Sequence, residues 1–139
     1  MEPLVVAAGI VLKEKNVLIS RRRKDVHLAD YWEFPGGKQE GGESLAECLQ
    51  REFREELGIE IRVREPILDL RYSYPDRVVH LHYYLCEWTG GSPIAGGCQE
   101  FRWIPVERIE SYSFPPANAA VIQWLKDFSS RRPAKGLVS

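Results

Sequence analysis

The chain has 139 residues, of which 44% are hydrophobic and 28% charged, and its formal net charge at pH 7 is -1. This length is sufficient for one compact domain with a buried core. We expect a single domain over residues 1–130 and a flexible tail over residues 131–139. Binders of nucleic-acid polymers or anionic membranes usually carry a marked basic excess, so the charge argues against both as partners. A small charged ligand fits this charge balance.

The cysteines and the apolar runs indicate a cytoplasmic protein. Cys48, Cys86 and Cys98 match neither a metal-ligand spacing nor an even disulfide set, which predicts reduced thiols. The longest apolar run, residues 4–12, is too short to span a bilayer and has no basic residues before it. We therefore expect neither a membrane span nor a targeting segment.

The first two predicted strands flank a short polar stretch. Residues 4–12 and 17–23 are apolar runs separated by the sequence KEKN, which predicts a β-hairpin. The second strand ends in RRRK, residues 21–24. Such a run is either a solvated strand end or, through one arginine that points inward, a phosphate site.

A helix is predicted over residues 44–57, directly after a glycine-rich loop. Ser44 and Glu47 form a capping box at its start, and Gly58 suits the left-handed position after its end. The preceding loop, GGKQEGGE at residues 36–43, contains four glycines. It is either a plain turn or a loop that brings backbone N–H groups and the Glu43 carboxylate close to an anion or a metal.

Three glutamates of this helix are placed unfavourably for a plain surface helix. Glu52, Glu55 and Glu56 lie at positions i, i+3 and i+4, where like charges repel. On a helical wheel, Glu56 falls inside the apolar stripe, Glu52 lies close to it and Glu55 lies at its edge. Because an unpaired, partly buried carboxylate costs several kcal/mol, the pattern predicts a cation among these side chains.

The ligand type indicates which cation this is. Glutamate oxygens without histidine or thiolate partners suit a hard ion, magnesium or manganese, and substrate phosphates commonly complete the coordination of such ions. Phosphoryl chemistry on a small phosphorylated ligand follows from this prediction. His27, His80 and His82 show no ligand spacing with a carboxylate, so we assign them no catalytic role.

The second half of the chain predicts two more strands, a loop and a helix. The strands cover residues 67–74 and 77–88, and Asp76, a common turn residue, lies between them. A flexible loop over residues 90–97 follows, and the apolar pattern resumes after it. A last helix is predicted to begin near Asn118, for which an N-cap is the ordinary role.

The sequence GGKQEGGESLAECLQREFREELGI, residues 36–59, resembles the signature of the Nudix hydrolase family. That signature is Gly, five residues, Glu, seven residues, Arg-Glu, an apolar residue, any residue, Glu-Glu, any residue, Gly and an apolar residue. Its specified places are all filled, by Gly37, Glu43, Arg51, Glu52, Phe53, Glu55, Glu56, Gly58 and Ile59. The resemblance implies an α+β fold, the Nudix α/β/α sandwich, with a mixed β-sheet between the signature helix and the last helix.

The resemblance also implies a role for each residue of the signature. The family binds divalent metal through the helix glutamates, here magnesium with manganese as the alternative, while Arg51 and Glu43 order the loop. The implied metal site consists of Gly36, Gly37, Glu52, Glu55 and Glu56. The implied catalytic set consists of Arg51, Glu52, Glu55, Glu56 and Glu100.

Segments outside the signature, residues 21–38, 73–77 and 114–122, resemble the branch of the family that hydrolyses 8-oxo-dGTP. By this resemblance Asn118 hydrogen-bonds the edge of the oxidised guanine, where an amide meets a carbonyl and the N7 proton that oxidation creates. Arg22 holds phosphate through its guanidinium fork. The implied substrate-binding set is Arg22, Glu33, Phe34, Lys38, Asp76, Arg77 and Asn118.

One position departs from the pattern of this branch. A glutamate often stands there six residues before the tryptophan of a late strand, and the chain has Gly97 at that distance from Trp103. Glu100 is the nearest substitute. The sequence leaves open whether Glu52 or Glu100 positions the attacking water.

The implied activity is magnesium-dependent hydrolysis of 8-oxo-dGTP to 8-oxo-dGMP and pyrophosphate by a monomer that cleanses the nucleotide pool and so avoids DNA damage. The rate would come from electrostatic clamping and not from a covalent intermediate. Two alternatives stay open. One is a Nudix enzyme of another nucleotide, a pyrimidine triphosphate or a dinucleotide, and the other is a nucleotide-sensing domain without turnover.

Overall fold

The computed structural model describes residues 2–24, 30–98 and 100–131. The strands in this part are β1 (Leu4–Lys13), β2 (Asn16–Arg21), β3 (Trp32–Glu33), β4 (Gly36–Lys38), β5 (Glu60–Tyr74), β6 (Arg77–Gly90) and β7 (Glu100–Pro105). The helices are α1 (Leu45–Leu57) and α2 (Ala119–Arg131), with 3-10 helices at Val106–Ser111 and Pro116–Asn118.

The predicted domain boundary and tail are not tested by the described residues. The boundary at residue 130 stays a prediction, and the predicted tail lies outside the described residues except for Arg131, the last residue of α2. His27 also lies outside them. Among the described residues, no helix has the length and apolar character needed to cross a membrane.

Strand β1 is the centre of a mixed sheet. It pairs in parallel with β6 from Leu4↔Val79 to Val11↔Cys86, and antiparallel with β4. At its far end it pairs antiparallel with β2, which also pairs with β3 and β7. Strand β5 completes the other edge by antiparallel pairing with β6. The mixed sheet and the helices confirm the predicted α+β class.

The sheet has a hydrophobic core on each face. One core contains Leu49, Phe53 and Leu57 of α1, and the other contains Val121 and Leu125 of α2. All five side chains are fully buried. Because side chains alternate between the faces of a strand, β1 and β6 supply residues to both cores. The helices therefore lie on opposite sides of the sheet, as the predicted α/β/α sandwich requires.

Helix α1 begins and ends as its sequence predicts. The Ser44 hydroxyl accepts a hydrogen bond from the Glu47 N–H, and the Glu47 carboxylate accepts one from the Ser44 N–H, which completes the capping box. Gly58 has φ 67° and donates its N–H to the Arg54 carbonyl. The loop before β7 adds to this end, since the N–H groups of Gly96 and Gly97 both donate to the Glu56 carbonyl.

The predicted strands are present with shifted ends. Strand β5 begins at Glu60 and not at residue 67, because the partly charged segment before Pro66 also pairs with β6 through a series of register shifts. The predicted first hairpin is confirmed, although only Leu12↔Val17 and Lys13↔Asn16 are paired in it. Earlier residues of β1 pair with β4 instead. The last helix begins at Ala119, after a 3-10 turn that ends at Asn118.

Candidate active site

A cavity of about 360 Å³ opens beside β1 and β4. Strand β6, the 3-10 turn before α2 and the inward side of α1 complete its wall. Most of the predicted site residues line it: Arg22, Glu33, Phe34, Gly36, Gly37, Lys38, Glu52, Glu56, Arg77 and Asn118. This size is within the usual range for a small-ligand pocket.

Four predicted site residues are not part of the cavity wall. Glu55 is 61% exposed and Asp76, at the β5–β6 turn, is 72% exposed. Glu100 begins β7 and forms ion pairs with Arg21 at 3.1 Å and Arg102 at 3.2 Å. The remaining one is Arg51, which lies behind the wall and contacts the glutamates.

Arg51 contacts the carboxylates of Glu43, Glu52 and Glu55. Its Nε and Nη2 atoms donate to the two oxygens of Glu43 at 3.0 and 2.7 Å. Its Nη1 atom donates to Glu52 at 2.9 Å and to Glu55 at 3.2 Å. Nη2 also donates to the Lys38 carbonyl at 3.1 Å, so one guanidinium joins α1 to β4 and to the loop before the helix. Hydrogen bonds from Arg51 hold the pKa of Glu43 at about 2.

The glutamates inside the cavity have raised pKa values, in contrast to the lowered pKa of Glu43. Burial, together with the nearby carboxylates of Glu33 and Glu52, raises the pKa of Glu56 to about 9, although Arg22 opposes this rise. Burial also raises the pKa of Glu52, against hydrogen bonds from Arg51. Glu33 shows the same direction for the same reason, although Arg22 donates to it at 2.7 Å. The cavity therefore concentrates carboxylates that local cations only partly neutralise.

Gly37 makes room for one of these carboxylates. A Cβ atom at this position would collide with the carboxylate group of Glu52. Glu52 is only 14% exposed and also contacts Arg51, so the β4 backbone and the arginine together define where its oxygens lie. The glycine of the signature is thus required by a close approach between backbone and side chain.

The acidic side of the cavity fits a divalent cation. The Glu56 Oε1 atom is buried and makes no hydrogen bond within the part of the chain that the structure describes. A buried oxygen without a donor is costly, and coordination to an ion would satisfy it. Glu52, Glu56 and the backbone of Gly36 and Gly37 are the groups that would hold the ion. Two carboxylates suffice for magnesium, which substrate phosphates and water usually complete.

The cavity wall also contains a buried amide beside aromatic side chains. The Tyr83 hydroxyl donates to Asn118 Oδ1 at 2.8 Å, and both residues are buried. Phe34 stands beside them, with its ring centroid 6.4 Å from that of Tyr83 and nearly perpendicular to it. Val79 and Leu81 of β6 also line the cavity. The amide and the aromatic side chains suit a flat, partly polar ring such as a nucleobase.

The sequence prediction did not include Tyr83 or Tyr74, which also lines the cavity. Alternation along β6 places Tyr83 on the same face as Leu81, and a buried tyrosine hydroxyl needs a partner. Those two signals together mark Tyr83 as a site candidate. They do not identify its partner, because Asn118 is 35 residues away in the sequence.

Comparison with known proteins identifies the family of this chain. Residues 6–124 match the family model described as NUDIX domain. The chain is 39% identical over 127 residues to the 8-oxo-dGTP diphosphatase of Escherichia coli K12, which covers 91% of this chain and 98% of that protein. It is 32% identical over 134 residues to the CTP pyrophosphohydrolase of the same organism, with coverage of 96% and 99%. The solution structure of the E. coli ORF135 protein superposes with a TM-score of 0.80 at 31% identity, covering 96% of both chains.

The chain therefore belongs to the Nudix family of hydrolases, enzymes that act on phosphoric anhydride bonds. Members of this family generally use divalent metals. The particular relatives at similar identity act on an oxidised purine nucleotide and on a pyrimidine nucleotide, as their names state.

Proposed function

We propose that this protein is a magnesium-dependent pyrophosphohydrolase that converts 8-oxo-dGTP and water to 8-oxo-dGMP and pyrophosphate, and so cleanses the cytoplasmic nucleotide pool. The observation that carries the proposal is the buried Asn118 amide, which lines the same cavity as acidic and basic side chains. The 39% identity to an 8-oxo-dGTP diphosphatase supports the same substrate.

The amide has the hydrogen-bonding capacity that an oxidised guanine needs. A carboxamide oxygen has two acceptor sites, and Tyr83 uses one of them. The second acceptor can take the N7 proton, which 8-oxoguanine has and guanine lacks. The NH₂ group of Asn118 makes no hydrogen bond to another described residue, so it can donate to the base carbonyl. In unoxidised guanine N7 is itself an acceptor, so it would face the acceptor oxygen of Asn118 without a hydrogen bond.

The same cavity has groups for a triphosphate. Arg22, Lys38 and Arg77 line it and supply positive charge. A guanidinium offers paired donors to phosphate oxygens, so Arg22 and Arg77 would orient the chain of phosphates. A magnesium ion at the glutamates, or manganese in its place, would neutralise phosphate charge and lower the pKa of a bound water.

Glu52 is the better candidate for the residue that positions water. It lines the cavity and is fixed by Arg51, whereas Glu100 is engaged by Arg21 and Arg102 outside the wall. Glu56 is more deeply buried and has the unpaired oxygen that suits an ion. Glu55 is exposed on the same helix and would bind the metal from the edge of the cavity.

A comparison of substrates tests the proposal. We expect kcat/KM for 8-oxo-dGTP to exceed that for dGTP, dCTP and CTP, with pyrophosphate as product and with dependence on added magnesium. Equal rates on 8-oxo-dGTP and dGTP would refute the substrate assignment. A sensing domain would bind nucleotide without releasing pyrophosphate. That alternative is excluded if the unmodified chain releases pyrophosphate and the Glu55→Gln and Glu56→Gln variants do not.

A pyrimidine triphosphate is the second candidate. The chain is nearly as similar to a CTP pyrophosphohydrolase as to relatives named 8-oxo-dGTP diphosphatase. An amide can also pair with cytosine, through donation to N3 and acceptance from the exocyclic amine. Faster turnover of CTP than of 8-oxo-dGTP would favour a pyrimidine triphosphate as the substrate.

A further inference from the structure

The hairpin of β5 and β6 has a second cluster of possible metal ligands. His80 and His82 alternate with Val79, Leu81 and Tyr83 along β6, and the latter three line the cavity. Because successive side chains point to opposite faces of a strand, the two histidines lie on the face away from the cavity. They are not part of the site described above.

A carboxylate from the neighbouring strand completes the cluster. Asp69 of β5 lies directly opposite His82 in the antiparallel register. Its Oδ1 atom is 3.0 Å from Nε2 of His80, the diagonal neighbour. This contact corrects the prediction that no histidine has a carboxylate at ligand spacing, which counted distances along the sequence and not across strands.

The distances are close to those that one ion needs. One ligand atom from each of Asp69, His80 and His82 lies within 4.8 Å of the others, and the imidazole centroids are 4.1 Å apart. Ligands of a tetrahedral zinc ion at about 2.0–2.1 Å lie about 3.3 Å from one another. Side-chain rotations alone would close that gap, because Asp69 is 61% exposed and the backbone pairing holds both strands.

Two of the three candidate ligands have pKa values shifted in the direction that ligation needs. A metal needs neutral imidazole and ionised carboxylate. Burial and the neighbouring His80 lower the pKa of His82, while the hydrogen bond from His80 lowers the pKa of Asp69. Arg71, opposite His80 in the register, also lowers the pKa of Asp69 and adds positive charge nearby. Ion binding must therefore overcome one adjacent guanidinium.

We propose that Asp69, His80 and His82 form a second cation site, selective for zinc or another late first-row transition ion, that clamps β5 to β6. Two imidazoles and a carboxylate are a donor set for these ions, whereas the glutamates of the cavity suit a hard ion. The clamp would stiffen the hairpin that carries Tyr74 and Arg77 into the cavity wall. The inference does not depend on which nucleotide is hydrolysed.

The test is a zinc titration of the EDTA-treated full chain by calorimetry, with magnesium at saturation to occupy the glutamates. We expect one zinc ion per chain and a rise in Tm on binding. His80→Ala and His82→Ala should each weaken zinc binding more than about 100-fold, since loss of even an outer partner of a metal ligand costs 10–100-fold. His80→Gln and His82→Gln, which keep side-chain bulk, should do the same if alanine variants fail to fold.

Glu56→Gln is the matched control, because it alters the catalytic cluster and leaves the hairpin intact. It should retain the zinc isotherm and its Tm shift. Zinc binding that survives in the His80→Ala/His82→Ala double variant would overturn the proposal, as would an absence of zinc binding by the unmodified chain. Loss of zinc binding in Glu56→Gln would place the ion at the glutamates and would overturn it equally. Nucleotide turnover is not the readout, so failure here is separable from failure of the proposed activity.

Discussion

At the scale of single residues, the proposed base selectivity would depend on the Asn118 amide. We expect Asn118→Ala to raise KM for 8-oxo-dGTP more than for dGTP, because a polar base edge left without its partner is desolvated at a cost. A net hydrogen bond is worth about 0.5–1.5 kcal/mol, so the selectivity ratio should fall about 2- to 10-fold for each bond lost. Steady-state KM and kcat on both nucleotides measure it. Equal effects on the two would show that Asn118 serves only the start of α2.

Tyr83 is expected to act through Asn118. Its hydroxyl donates to Oδ1 at 2.8 Å and so fixes which side of the amide is the acceptor. Tyr83→Phe should therefore reduce the preference for 8-oxo-dGTP over dGTP by about 5-fold, the equivalent of about 1 kcal/mol, while kcat on dGTP changes little. The readout is the ratio of the two kcat/KM values.

Tyr84→Phe provides the control for this prediction. Tyr84 is the next residue of β6 and packs against the core on the α1 face, away from the cavity. Its loss of a hydroxyl should leave the ratio unchanged. If both variants reduce the ratio equally, general weakening of β6 explains the effect and the positioning role of Tyr83 is wrong.

At the scale of elements, the proposed role of Glu52 would depend on how closely β4 approaches α1. Gly37→Ala should displace the Glu52 carboxylate, since the added Cβ would occupy its position. A misplacement of about 1 Å at a catalytic group costs about 100-fold in rate, so kcat should fall by that order. Gly41→Ala is the matched variant because nothing lies within 4 Å of a Cβ there. Similar losses in both would mean that loop flexibility, and not the approach to Glu52, limits the rate.

Helix α1 could be predicted from the sequence because its signals are local. The capping box and Gly58 define its ends, and the helical wheel places Glu56 inward and Glu55 at the rim, where the structure has them. The wheel also predicted the cation site at the glutamates, and the resemblance to the Nudix signature added Gly36 and Gly37 to it. Lys38, Phe34 and Arg77 followed from the resemblance and not from local pattern.

Contacts between distant strands could not be predicted in the same way. The pairing of Asp69 with His80 depends on register shifts in β5 near Val63 and Pro66, which decide which residue faces His82. A one-residue difference would turn Asp69 to the other face. The contact of Tyr83 with Asn118 likewise depends on where the 3-10 turn meets β6, a relation that periodicity within either segment does not contain.

At the scale of the whole molecule, the acidic cluster should make stability depend on pH in the metal-free state. The pKa of Glu56 is raised from 4.5 to about 9, so between these values the folded chain binds a proton that the unfolded chain has released. The free energy of unfolding therefore falls as pH rises through this window, with a slope of at most about 1.4 kcal/mol per pH unit from one group. Denaturant unfolding in EDTA between pH 7 and 9 measures the slope.

Comparison with Glu56→Gln isolates this effect. Glu43, with a pKa of about 2, affects stability only below the chosen range, and the lowered pKa of His82 acts below its usual value of 6.5. The variant should lose most of the slope and gain stability at pH 9, because a neutral amide replaces a buried carboxylate. Saturating magnesium should flatten the slope of the unmodified chain, since an ion that needs ionised ligands gains affinity as pH rises. A wild-type slope that neither magnesium nor Glu56→Gln changes would mean that the buried glutamates neither hold the proton nor receive the ion.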